Sequence, residues 1–180
     1  QFEFTLPNCK VVAANGLNGH DGCHYYFKNG YEQLGKILSP LVARDLYAKS
    51  NLNNIDPPNI KSAEYINADF TKIALNMMQP TDSIFVDPNF HTLFSVSGDS
   101  GITIVSGSVI KNRVVLNLNK GTCKPLKISY TGKPFTQPWV KNRINSALLS
   151  FNLVAVDKPK PREWYNLCKN NLITLGEDSL

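Results

Sequence analysis

The feature that most limits how this chain can fold is a change of hydrophobic period near residue 80. Beyond it, "SIFVD", "HTLFSVS", "ITIVSGSVI", "RVVLNLN" and "LKISY" follow one another over residues 83–130. Each is short and β-branched, with apolar residues at every second position, and Gly, Asn, Asp or Pro separates one from the next. Such segments predict consecutive antiparallel strands, a meander of about five. Before residue 80 the spacing is nearer 3.6. Tyr31, Leu34, Leu38, Leu41 and Val42 predict a helix over 31–49 that Pro40 should kink or divide. Ala63, Ile66, Phe70, Ile73, Ala74 and Met77 predict a second helix over 63–79, N-capped by Ser62 and ended by Pro80. Further on, Val140, Ile144, Ala147 and Leu148 allow a helix over 138–150, "FNLVAVD" reads as another strand, and "PREWYNLCKNNL" predicts a C-terminal helix over 160–172. The expected class is therefore α+β: two N-terminal helices, an antiparallel meander of about five strands and a C-terminal helix. At 180 residues the chain suits one domain with a core of its own. Its expected parts are a loop over 1–27, a helical part over 31–79, a mainly β part over 83–156 and the last helix.

Four cysteines, Cys9, Cys23, Cys123 and Cys168, occur without any Cys-x-x-Cys pair. Three connectivities are open, and pairing each cysteine with its sequence neighbour closes two modest loops. Disulfides imply an oxidising compartment, so an extracytoplasmic location, secreted or periplasmic, is expected. None of the 20 asparagines lies in an Asn-x-Ser/Thr acceptor sequence, which points to a bacterial source rather than a glycosylated one. No apolar run reaches the length of a membrane span. The start, "QFEFTLPNCK", has no basic n-region or apolar h-region, as expected of a processed or trimmed chain.

Three motifs suggest chemistry, and each has a plainer explanation. "GDSG" at 98–101 resembles the opening of the trypsin-like serine protease nucleophile motif, which would make Ser100 the nucleophile. Ile102 stands where that family has a further Gly, however, and no histidine lies in an Ala-Ala-His-Cys context. The same four residues between "TLFSVS" and "ITIVS" suit a hairpin turn. "GTC" at 121–123 resembles the strand-end Thr-Cys of sortase-type transpeptidases, with His91, Cys123 and Arg143 open to the corresponding roles. A catalytic thiolate must stay free, and Cys168 is available to oxidise Cys123. In "HDGCH", His20, Asp21, Cys23 and His24, with Cys9, supply metal-ligand types at a spacing that matches no familiar closed site. The carboxylates Glu32 with Asp45 and Glu64 with Asp69 do not share a helical face, and no phosphate-cradling loop or dinucleotide fingerprint is present. No catalytic residue, cofactor or metal is assigned.

Charge is the informative feature. Residues 1–110 hold 7 Lys/Arg against 10 Asp/Glu, whereas residues 111–169 hold 12 against 2. That imbalance, interleaved with aromatics, predicts a positive region facing an anionic partner. The expected contacts are Lys111, Arg113, Lys124, Lys127, Lys133, Lys141 and Arg143, with Trp139 as an aromatic anchor. The expected function is a non-enzymatic binding module for an envelope polymer, a glycan, a membrane surface or an acidic protein, nucleic acid being no partner in that compartment. The alternatives are a small extracytoplasmic hydrolase or transpeptidase using Ser100 or Cys123, and a structural subunit of an envelope or secretion assembly.

Overall fold

A computed structural model describes residues 9–17, 21–50, 52–79, 83–131 and 139–158. The C-terminal helix expected over 160–172, together with Cys168, His20 and Lys133, lies outside the described residues.

One helix forms in the first half. A π-type turn at Phe27–Tyr31, with Asn29 in the left-handed region, leads into α1, Glu32–Asp45. Pro40 sits inside α1 without dividing it. Ile37 and Leu41 are its buried residues. Its last turn is tied down by Arg44, whose Nη1 and Nη2 donate to the two Asp56 carboxylate oxygens at 2.6 and 2.8 Å while Nε donates to Asp45 at 2.7 Å. This fork raises the Arg44 pKa and holds both carboxyls below the usual carboxylate range.

The second expected helix is instead a β-hairpin, β1 (Ile60–Tyr65) and β2 (Lys72–Met77). Its residues satisfy both periods, since Ala63 and Tyr65, then Ile73, Leu75 and Met77, also alternate and are all buried. Asn67 decides between them. Its Oδ1 accepts from the backbone N–H groups of Thr71 and Lys72 at 3.1 and 2.9 Å, and its Nδ2 donates to Thr71 Oγ1 at 2.7 Å. That folds the chain back and sends Phe70, at φ 52°, fully into the core. Ser62, expected as an N-cap, lies in β1 and accepts from Asn76 Nδ2.

The remaining strands are β3 (Phe85–Val86), β4 (Phe94–Ser97), β5 (Ile104–Ile110), β6 (Arg113–Leu118), β7 (Lys127–Tyr130), β8 (Val140–Lys141) and β9 (Phe151–Asp157). Each expected strand is present, but they do not form a meander. Seven strands make one mixed sheet in the order β4-β7-β9-β1-β2-β6-β5, and β3 pairs with β8 separately. β9 lies between β7 and β1, antiparallel to the first and parallel to the second. The segment considered for a helix over 138–150 holds β8 and a tight turn. There Asn142 Oδ1 accepts from the N–H groups of Ile144 and Ser146 at 3.1 and 3.0 Å, and Asn142 Nδ2 donates to the Asp56 carbonyl at 2.9 Å.

The sheet curls towards closure. Its two edge strands, β4 and β5, are consecutive in sequence and joined by the short connection through Gly98–Thr103. A 3₁₀ turn at Phe90–Leu93, just before β4, lays the Phe90 ring on β5 at Gly107. A Cβ at Gly107 would stand 2.6 Å from Phe90 Cζ, so only glycine leaves room for the ring. Inside, Phe94, Tyr130 and Phe151 pack with centroids 4.8 to 6.3 Å apart, and Tyr65 meets Phe70 edge-on at 5.2 Å. The architecture is thus a nearly barrel-like seven-stranded mixed sheet with one helix among the described residues, in place of the helix-rich α+β arrangement.

Candidate functional site

The "GDSG" segment is a turn, as its composition suggests, but it joins no hairpin. It carries the chain from one edge of the sheet to the other. Asp99 organises it by accepting from Thr122 Oγ1 at 2.7 Å and from the Gly101 N–H at 3.2 Å, with Lys124 Nζ at 3.6 Å. These contacts hold the Asp99 carboxyl below the usual carboxylate range, Thr122 contributing most. Ser100 is exposed, and among the described residues no hydrogen bond joins its hydroxyl to a histidine.

The second motif is dispersed as well. His91 lies on the turn before β4, whereas Cys123 follows β6 beyond the opposite end of β4, since Ser97 pairs with Lys127. Arg143 is occupied elsewhere, donating to the carbonyls of Asn53 and Asn54. Cys123 is disulfide-bonded and offers no thiolate.

Cys9 and Cys23, expected to pair, are instead free and exposed. The reason is local. Cys9 lies on the extended segment beside α1, lining a cavity of about 540 Å³ with Leu38, Leu41, Val42 and Leu46. Cys23 belongs to a turn in which Asp21 Oδ1 accepts from the N–H groups of Cys23 and His24 at 2.9 and 2.7 Å, leaving Cys23 Sγ 3.9 Å from His24 Nε2. Among the described residues no group of three His, Cys, Asp or Glu side chains could hold a metal ion.

The basic residues divide between two ends of the sheet. Lys111 and Asn112, both at positive φ, form the two-residue tip joining β5 to β6, next to Arg113. Lys124 and Lys127 lie beyond the other end of β6, a strand that spans about 20 Å. Arg113 is spent on Glu64 at 2.9 Å and Asn76 at 3.1 Å. Lys141 bridges to Asp87 at 3.6 Å and sits 4.4 Å from the centroid of the Trp139 ring. Trp139 itself is buried, so it anchors the interior rather than a surface contact. Of the expected set, the structure brings together Trp139 with Lys141, and Lys124 with Lys127. Lys120 joins the latter pair, its Nζ lying against Gly101. Its place in the loop after β6 becomes evident only once the sheet order is known.

A smaller cavity of about 230 Å³ lies between α1 and the Trp139 region, lined by Gly16, Leu17, Asn29, Gln33, Ile37, Trp139 and Asn145. Sequence inspection gave no sign of it, because four separate segments supply its walls. Trp139 Nε1–H is buried without a hydrogen-bond partner, an omission that ordinarily costs about 1–3 kcal/mol. No described helix is long and apolar enough to cross a membrane. Comparison with protein families, with curated proteins and with solved structures finds no match.

Proposed function

We propose that this chain is a non-enzymatic, extracytoplasmic binding module that engages an anionic partner at the rim of the sheet formed by the 98–103 and 119–126 loops. The observation that carries this reading is how the cations are sorted. Arg44, Arg113, Lys141 and Arg143 are held by internal acceptors. Lys120 and Lys127 stand exposed at one rim, and among the described residues the Lys124 ammonium has only its long contact with Asp99. Exposed pairs of that kind contribute about 0–1 kcal/mol, so Lys124 is easily recruited. Lysines held on short, well-packed loops present phosphate, sulfate or carboxylate with fixed positive charge. The disulfide at Cys123, inside this rim, fits an oxidising compartment.

Heparin affinity chromatography tests the reading. The parent should be retained and should elute earlier as salt rises. The triple variant K120Q/K124Q/K127Q should lose most retention, with its log–log salt slope reduced by about one per lysine removed. K111Q, at the far end of the sheet, should behave as the parent. Salt-independent binding, or equal elution of parent and triple variant, overturns the proposal.

A further inference from the structure

We propose that β5 is a self-association edge, along which two copies of this chain join β5 to β5, antiparallel, about a two-fold axis at Gly107. The inference does not rest on the lysine rim. It begins with the sequence: β5, Ile104–Ile110, reads Ile-Val-Ser-Gly-Ser-Val-Ile, the same in either direction. In an antiparallel pair with its two-fold axis at Gly107, each residue meets the one equally far beyond Gly107 in the second copy. A palindromic strand therefore sets like against like: Ile104 against Ile110, Val105 against Val109, Ser106 against Ser108, and Gly107 against itself. β-Branched side chains pack, and serine hydroxyls bond, across such a ladder.

The structure leaves this edge open. β5 ends the seven-stranded sheet, and none of its residues is buried, whereas β4 at the other end seats Phe94 in the core. Lys111 and Asn112, both at positive φ, make a two-residue turn closed by the Ile110–Arg113 pair. Ser106, Ser108 and Ile110 thus direct their backbone groups to β6, while Gly107 and Val109 direct theirs outward. Among the described residues no backbone hydrogen bond reaches β5 from any element but β6. β3 and the Phe90 turn come near. Phe90 and His91, however, meet Gly107 where a Cβ would stand, which is the face of the strand and not its hydrogen-bonding edge.

Edge strands are ordinarily guarded by charge or proline, and residues 101–110 hold neither. A bulge between Ile104 and Ser106 is the guard present; it leaves 106–110 regular, the part through which the axis passes. Val105 and Ile110 are 52% and 50% exposed on either side. An uncharged apolar edge accepts extended strands in general, but the palindrome singles out a second copy, because like meets like at every position only when the chain meets itself. Gly107 then exchanges both its N–H···O bonds with its counterpart, and the symmetry closes the assembly at two. One short edge makes an interface of the small, transient class, so the dimer has a Kd on the order of 0.1 mM.

Sedimentation equilibrium on the parent between about 10 µM and about 1 mM should show monomer and dimer in exchange. S106K/S108K and S106E/S108E set like charges opposite each other, and each should weaken the dimer at least tenfold while keeping the parent's circular dichroism. An equimolar mixture of the two should restore it as a heterodimer, with Lys facing Glu at both positions. S108K alone, whose lysine faces Ser106 of the second copy, should weaken it far less than the pair. In the parent itself, amide hydrogen exchange at Gly107 and Val109 should slow as concentration rises, while that at Ser106 and Ser108, already bonded to β6, should not change. The proposal is overturned if the parent is monomeric throughout, if both charged variants dimerise as the parent does, if their mixture stays monomeric, or if S108K loses as much as the pair. Exchange at Gly107 and Val109 that ignores concentration overturns it equally, as does growth beyond dimers.

Discussion

Tyr65 shows how one buried polar atom sets a pH limit. Its ring packs against Phe70, its hydroxyl has no partner, and burial pushes its phenol up to about 12. In the unfolded chain the phenol ionises near pH 10. A raised folded pKa contributes stability that is complete below the unfolded value and is lost as pH rises towards the folded one. Tyr65→Phe should therefore raise stability by about 1 kcal/mol at pH 7, because an unsatisfied hydroxyl is removed. Its lead over the parent should widen above about pH 10. Urea unfolding midpoints at neutral and alkaline pH check both statements; a lead that narrows with pH contradicts the second. At this scale the sequence was only partly readable. Asn67 and Asn142 each hold a turn with a side-chain oxygen that accepts from two backbone N–H groups. Among 20 asparagines, nothing in their neighbours singles out these two.

Elements were more legible where one period excludes the other. β5 and β6 are continuous and β-branched, and helical spacing announces α1, so both elements were readable, but the face was not: Tyr31, Leu38 and Val42 of the expected stripe stand exposed, while Ile37 and Leu41 are buried. Residues 63–79 satisfied either period, and the turn at Asn67 settled the matter in favour of strands. The docking of α1 was not legible, because Arg44 and Asp56 face each other only after the 46–55 connection has folded back. Asp56→Asn should cost about 1–2 kcal/mol at neutral pH by removing a charge-assisted fork. The direction of the pH dependence follows from the lowered carboxyl pKa: its stabilisation is present above the unfolded value of about 3.9 and is lost as pH falls through the folded one. The difference between parent and variant, followed by thermal unfolding, should thus shrink below about pH 4. A difference constant down to low pH would show that the carboxylate charge is not what matters.

For the whole molecule, the near closure of the sheet rests on side-chain packing between its edges, with Phe90 seated at Gly107. Gly107→Ala should destabilise the protein by about 1–3 kcal/mol through overpacking against the buried ring. Phe90→Leu, which removes the ring atom nearest the new Cβ, should recover part of the loss when combined with it, as a double-mutant cycle measures. Simple additivity of the two changes would argue against this contact as the clasp. Closure also sets which charges are available. β6 runs the length of the sheet and separates Lys111 from Lys124 and Lys127, so the lysine-rich second half of the chain is distributed over two ends instead of one face.

The sequence by itself determined the local choices: where β-branched alternation makes strands beyond residue 83, that a helix follows Tyr31, that Gly98–Gly101 turns the chain, and that the second half is basic. Each depends on neighbours a few residues apart, the range over which side-chain periodicity and turn chemistry act. Only the tertiary structure decided that β9 enters between β7 and β1, that Arg113 and Arg143 are consumed by internal acceptors, and that four segments meet around Trp139. Those outcomes depend on backbone hydrogen bonds and packing between residues far apart in the chain, and many pairings are compatible with the same local pattern until the core is filled.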